Sequence, residues 1–142
     1  MSRRPVLLRD PISDLFTRIR NGYAAKHESI YHPYSRFSLA IVKSLISQNY
    51  LRDFRIVPPE SPRHPQFDHI EIFLSYDLRG KPAIRALRRV SVPSHRVYRK
   101  ITQLPLARAG LGTWILSTPN GVMHCTEARQ KRLGGEVIGE VF

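Results

Sequence analysis

Two periods of apolar and polar positions succeed one another along the chain, three to four residues in its first third and mostly two thereafter. Ile12, Leu15, Phe16, Ile19 and Tyr23 fall on one face at helical spacing, which predicts a helix with one buried stripe. Asp10-Pro11 supplies its start, Asp as N-cap and Pro at the first helical position, and at Asn21-Gly22 the last turn is expected to fray or stop. Phe37, Ala40, Ile41 and Leu45 predict a second helix from Ser35 to Gln48, ended at Asn49. From Leu51 to Val57 the period drops to two, Leu51, Asp53 and Arg55 opposing Arg52, Phe54 and Ile56, as in a strand. Prolines 58, 59, 62 and 65 exclude a central strand or helix and predict a long hairpin loop, with Ile70 to Tyr76 returning.

Arg79-Gly80-Lys81-Pro82 is the candidate junction between two lobes. Beyond it, Ala83 to Val90 reads as extended, with Arg85, Leu87 and Arg89 on one face and Ile84, Ala86 and Arg88 on the other. Val92-Pro93 breaks that run, and Arg96 to Tyr98 is a short extended piece. Gly112 to Leu116 and Gly121 to Cys125 are apolar runs joined by the polar turn Ser117-Thr118-Pro119-Asn120-Gly121, a hairpin signal. Thr126 is placed to cap a short helix over Ala128 to Leu133, which Gly134-Gly135 would end. Glu136 to Phe142 closes as a strand, Val137 and Val141 on one face and Ile138 and Phe142 on the other. The expected fold is α+β. Residues 1–78 form an N-terminal α-β lobe of two helices and a β-hairpin, and residues 79–142 a mainly β C-terminal lobe with one short helix.

Composition narrows the class. A chain of 142 residues with 42% hydrophobic content builds one large domain or two small lobes on a modest core. Cys125 is the single cysteine, so no internal disulfide forms and a reducing compartment is expected. No apolar run approaches the length of a membrane span, and no secretory core segment is present, so no membrane partner is expected. Residues 1–9 are basic and free of acid, which fits a short targeting segment or a phosphate-binding arm.

The formal charge of +12 is unevenly distributed. Between Asp77 and Glu127 there is no acidic residue, while Arg79, Lys81, Arg85, Arg88, Arg89, Arg96, Arg99, Lys100 and Arg108 are all cationic. A solvated surface would ordinarily mix the signs. A one-signed field ending in a small hydroxyl-bearing turn suits a polyanion with shape, namely folded nucleic acid.

The order of motifs carries a resemblance. Asp10-Pro11-Ile12, then Thr17-Arg18-Ile19-Arg20-Asn21-Gly22, resembles the N-terminal signature of the universal small-subunit ribosomal protein eight family. Arg89-Val90-Ser91, Arg96-Val97-Tyr98, Leu104-Pro105 and Gly110-Leu111-Gly112 follow in the family's order. Ser117-Thr118, Gly121-Val122-Met123, Glu127-Ala128-Arg129 and Gly134-Gly135-Glu136 complete it, so the likeness spans residues 10–142. The resemblance implies a two-lobed α+β protein that binds the central domain of small-subunit rRNA early in assembly and touches neighbouring ribosomal proteins, as a monomer within the ribosome. No cofactor and no metal are expected.

The resemblance also assigns residues. Ser117 and Thr118 would reach bases and sugar-phosphate in a widened, irregular groove, since regular A-form RNA hides its base edges. Tyr98 matches a family tyrosine on the RNA face, with a core-edge aromatic as the alternative reading. Arg96, Arg99 and Lys100 beside it, with Arg89, are candidate phosphate contacts, and Asn120 is a further candidate in the turn. Arg18 and Arg20 are either phosphate contacts or solvated helix charges. Gly135 would bring backbone close to RNA, and Glu136 would orient donors in the loop rather than meet phosphate. Gly134 is explained equally by a helix C-cap.

The turn departs from the family's Ser-Thr-Ser-Lys-Gly at Pro119 and Asn120, and Ser91-Val92-Pro93-Ser94 stands where Ser-Arg-Pro-Gly is usual. With the proline-rich extension these losses suggest a divergent lineage, and the expected location is a mitochondrial ribosome, with bacterial cytoplasm or plastid as alternatives. Enzymatic readings find little support. Ser117 lacks a Gly-x-Ser-x-Gly elbow, no glycine-rich phosphate loop is present, and no four ligands at zinc spacing arise from the six histidines. A free regulator of messenger RNA would need the same surface, and sedimentation with small subunits separates the two.

Overall fold

The computed structural model describes residues 10–59, 68–104 and 112–142. The rest of the proline-rich segment, Pro105, Arg108, Gly110 and Leu111 of the family motifs, and residues 1–9 lie outside the described residues. Helix α1 runs Pro11–Ala24, with the Asp10 side chain accepting from the Ser13 amide at 3.3 Å and also from the Ser13 hydroxyl. All five residues of the apolar stripe are buried. Asn21-Gly22 does not stop the helix. Gly22 lies inside it because a Cβ there would stand 2.6 Å from Ile30 Cγ2 and 3.0 Å from Leu74 Cδ1. That glycine seats a strand.

The strand is β1, Ser29–Pro33, which the apolar spacing of the chain does not announce. Its buried positions are Ile30 and His32, and a histidine on the buried face conceals the alternation. Helix α2, Arg36–Ser47, starts at the Ser35 N-cap, whose hydroxyl accepts from the Ser38 amide at 3.0 Å. It ends as expected at Asn49, which takes a left-handed φ of 62°. Strands β2 (Leu51–Val57) and β3 (His69–Leu74) pair antiparallel, and β1 joins the other edge of β3, giving the order β1-β3-β2. A bulge between Leu51 and Asp53 corrects the predicted faces. Leu51 turns onto the buried side opposite Leu74, while Asp53 and Arg55 face solvent opposite Phe73 and Glu71.

The second sheet holds β4 (Leu87–Arg89), β5 (Tyr98–Arg99), β6 (Thr113–Thr118), β7 (Gly121–His124) and β8 (Gly135–Val141). Its order is β4-β8-β6-β7, with β5 also paired to β8. Helix α3, Cys125–Lys131, packs on β6 and β7. The extended run expected from Ala83 pairs in the sheet only from Leu87, although the Arg85 and Ala86 amides both donate to the Phe142 carbonyl. A register shift between Ile115 and Leu116 pairs those residues with Gly139 and Val137 and leaves Ile138 as the extra residue. Val137 and Val141 therefore belong to different clusters, against strict alternation.

Thr126 is not the cap of α3: the helix begins one residue earlier, with His124 at the cap position and no side-chain bond there. Nor does Gly134 end it, because Arg132 takes the left-handed position with φ 54°. His124 ends β7, with Nε2 3.2 Å from the Gln48 amide nitrogen, and Cys125 is buried in the first turn of α3. One apolar cluster joins α1, α2 and both sheets, and Ile84, Leu87, Ile115, Ile138 and Val141 carry it past the expected junction at Arg79-Pro82. A second, smaller cluster of Leu104, Leu116, Met123, Cys125, Ala128 and Val137 lies beneath α3. The C-terminal sheet is thus covered on both faces, which fixes the strand ends at its rim.

Candidate nucleic-acid interface

Three distant stretches meet where β8 begins. Tyr98 and Arg99 pair with Glu136 and Gly135 on one side of β8, and Ser117 pairs with Glu136 on the other. The two glycines permit this approach. A Cβ on Gly135 would lie 2.0 Å from the Ser117 carbonyl oxygen, and one on Gly134 would lie 2.7 Å from the Arg99 carbonyl oxygen. Backbone therefore floors an open groove of about 640 Å³, lined by Tyr98, Arg99, Lys100, Ser117, Pro119, Gly134, Gly135 and Glu136. Tyr98 stands 63% exposed above it, so the core-edge alternative does not describe this ring. The Arg99 Nη1 donates to the Tyr98 carbonyl at 2.8 Å, holding the guanidinium along the rim.

The turn between β6 and β7 has Pro119 and Asn120 at its tip, both exposed. Thr118 is buried, and its hydroxyl donates to the Gly121 carbonyl at 2.8 Å while accepting from the Asn120 amide at 3.2 Å. That hydroxyl frames the turn, and Gly121 completes it at φ 109°. Ser117, half-buried, is the hydroxyl that lines the groove.

Glu136 acts on the neighbouring loop. Its carboxylate accepts from the Ser91 hydroxyl at 2.6 Å and from the Arg96 guanidinium at 2.9 Å. Burial alone would push its pKa up, but these two partners outweigh it and hold the carboxyl below the ordinary Glu value. Ser91, fully buried, passes the link onward by accepting from the Val97 amide at 3.1 Å. The Val97 carbonyl in turn accepts from the Val137 amide at 2.8 Å. The segment carrying Tyr98 is thereby hung on β8. Ser91 appeared in the sequence only as part of a motif, because its role needs partners 45 and 6 residues away.

The acid-free window is answered in three dimensions. Arg88 pairs with Glu140 at 2.8 Å, Arg96 with Glu136 and Arg89 with Asp10 at 3.3 Å. Arg89 is turned inward, 9% exposed at its side chain, with Nη1 donating to the Ile138 carbonyl at 2.7 Å. It ties the start of α1 to β8. Asp10 is pushed up by burial, but Ser13 and then Arg89 bring it below its ordinary value. Arg20 donates to the Leu87 carbonyl at 2.6 Å and bridges α1 to β4. Arg18 holds Asp14 at 2.9 Å and the Tyr31 carbonyl at 3.0 Å. None of Arg18, Arg20 and Arg89 lines the groove. Arg99 and Lys100 do, and Arg129 and Arg132, from outside the window, line the adjoining hollow with Lys100.

Among the described residues no cluster of three or more His, Cys, Asp or Glu is arranged to hold a metal ion. No described helix is long and apolar enough to cross a membrane. The family model described as Ribosomal protein S8 matches residues 10–142. Small ribosomal subunit protein uS8 of Shewanella pealeana is 40% identical over 131 residues, covering 92% of this chain and 95% of its own. The corresponding proteins of Novosphingobium aromaticivorans and Chloroflexus aggregans are 43% and 42% identical over 133 residues, each covering 94% of this chain and 97% of theirs. These relatives are bacterial, which leaves the mitochondrial expectation without support and favours the bacterial alternative.

Proposed function

The chain belongs to the ribosomal protein S8 family, and from that premise we propose that it binds the central domain of small-subunit rRNA and supports subunit assembly and translation. Its role is structural rather than enzymatic. Residues 79–142 carry the RNA face, and residues 1–78 buttress it and meet neighbouring ribosomal proteins. The bacterial relatives favour a ribosome in bacterial cytoplasm.

The observation that supports this reading most is the glycine-floored groove beneath Tyr98. An unpaired base stacks on an exposed tyrosine, the Ser117 hydroxyl reads a base edge or ribose, and Arg99 and Lys100 meet phosphates. The close backbone approach at Gly134 and Gly135, which a side chain at either position would force apart, keeps Tyr98 and Ser117 on one groove. Thr118 and Glu136 serve by position: one sets the turn, the other sets the loop that presents Tyr98.

The test is binding of a transcript of the rRNA central domain, measured by filter retention across a salt series. Tyr98→Ala and Ser117→Ala should each lose about 1–3 kcal/mol on the cognate transcript and little on an unrelated duplex. Arg99→Ala should lower the log-log salt slope by about one unit. Equal losses on both RNAs from Tyr98→Ala would remove the groove from recognition.

A further inference from the structure

A second hollow adjoins the groove, sharing Lys100 and Gly134 with it. It measures about 580 Å³, inside the range of small-ligand sites. Its apolar side is Ile101 and Leu104, and its cationic side is Lys100, Arg129 and Arg132. Among the described residues no carboxylate lines it. Arg129 is committed to the Leu104 carbonyl at 3.1 Å and acts as wall.

Arg132 is different. It holds the left-handed C-cap of α3 at φ 54° and ψ 42°, a conformation usually left to glycine. Its side chain is exposed and has no hydrogen-bond or ion-pair partner among the described residues. That backbone conformation ends α3, with the Leu133 amide donating to the Ala128 carbonyl at 2.9 Å and the Arg132 amide to the Arg129 carbonyl at 3.2 Å, so the cap needs the backbone and leaves the side chain uncommitted among the described residues. From that cap Arg132 lines the hollow together with Ile101 and Leu104.

We propose that this hollow is a nucleotide pocket, in which one unpaired nucleotide extruded from the RNA in the adjoining groove places its base against Ile101 and Leu104 and its phosphate on Arg132. The pocket rests on the RNA reading of the groove, and extends it from surface contact to capture of a single residue. The chemistry matches the lining. A base needs an apolar face to replace its lost stacking, and a phosphate takes paired N–H donors from a guanidinium. A paired, stacked nucleotide offers its phosphate but keeps its base face covered, so only an extruded one presents both groups. The shared Lys100 and Gly134 place the pocket one step along the strand from Tyr98.

Nitrogen-15 NMR titration of the full chain tests it with AMP, UMP, adenosine and inorganic phosphate as separate probes. The mononucleotides should shift the Ile101, Thr102 and Gly134 amides saturably in the millimolar range, at least tenfold more tightly than phosphate or adenosine alone. Arg132→Gly, which the backbone favours, should keep or raise the melting temperature while weakening mononucleotide binding at least tenfold. Absence of saturable shifts, equal binding of inorganic phosphate, or full binding by Arg132→Gly would overturn the pocket. A second arm separates this from failure of the groove reading. If Arg132→Gly binds the rRNA transcript normally while Tyr98→Ala does not, the groove stands and the pocket falls. If neither variant differs from the parent chain on that transcript, the groove reading falls as well.

Discussion

Replacing Gly135 by alanine probes the junction on which the groove depends. The added Cβ would stand 2.0 Å from the Ser117 carbonyl oxygen, 2.9 Å from its carbon and 3.2 Å from Thr118 Cα. All three are backbone atoms of β6, so no side chain can swing aside. Reaching ordinary contact, which begins at 3.4 Å, requires β6 and β8 to part by about 1.4 Å where Ser117 pairs with Glu136. Overpacking of that kind costs about 1–3 kcal/mol, and the rigid neighbour puts this case near the upper end. Gly135 is not among the positive-φ glycines, so alanine suits its backbone and restricts the unfolded chain, returning about 0.4–1 kcal/mol. The net expectation is a loss of about 2 kcal/mol, or roughly 6–8 °C in melting temperature for a chain of this length. Urea unfolding followed by circular dichroism measures it, and the rRNA transcript assay run well below the transition should show weakened binding by the folded fraction. Gly121→Ala is the comparison, since nothing lies within 4 Å of its Cβ and its cost comes only from φ 109°. A loss under about 0.5 kcal/mol with intact binding for Gly135→Ala would refute the close approach, because that is the scatter of neutral surface substitutions.

Two further outcomes test the supporting framework. Burial lowers the His32 pKa, and the nearby Asp14 charge opposes this without cancelling it, so the folded state prefers the neutral ring. A base depressed on folding contributes stability that is present above its unfolded value, about 6.5, and is lost as pH falls through the window below it. Urea midpoints should therefore decline between pH 7 and 5, before the depressed carboxylates Asp10, Glu71 and Glu136 begin to protonate. A flat profile there, or the same slope in His32→Gln, would contradict that assignment. Arg89→Ala should lower stability by about 2–3 kcal/mol, since it strands Asp10 and the Ile138 carbonyl. Its salt slope on rRNA should stay unchanged, and loss of a full unit would make Arg89 a phosphate contact instead.

Helices α1 and α2 were legible because caps and apolar spacing act within a few residues. Asp10-Pro11 and Ser35 each perform the local bond their residue types allow. The β6–β7 hairpin was legible for the same reason. Strand β1 was hidden by the buried His32, and the bulges in β2 and β8 shifted faces that strict alternation assigned. Gly22 and Gly134 read as stops, yet their neighbours Ile30 and Arg99 show that close approach is their purpose. The mitochondrial expectation rested on a few loop substitutions, a thin base beside bacterial relatives that match almost the whole chain.

Taken by itself, the sequence determined the α+β class, the family through its ordered motifs and a cationic middle suited to a polyanion. Those properties are local or additive, so they survive being read one residue at a time. Which cations remain for a ligand was decided only by the tertiary structure, because Asp10, Glu136 and Glu140 reach into the acid-free window from outside it. The groove itself is likewise tertiary. Tyr98, Ser117 and Gly135 become neighbours only when β8 inserts between β5 and β6. Pairing across such separations is set by packing of the whole sheet on α1 and α3, which no short window of the chain contains.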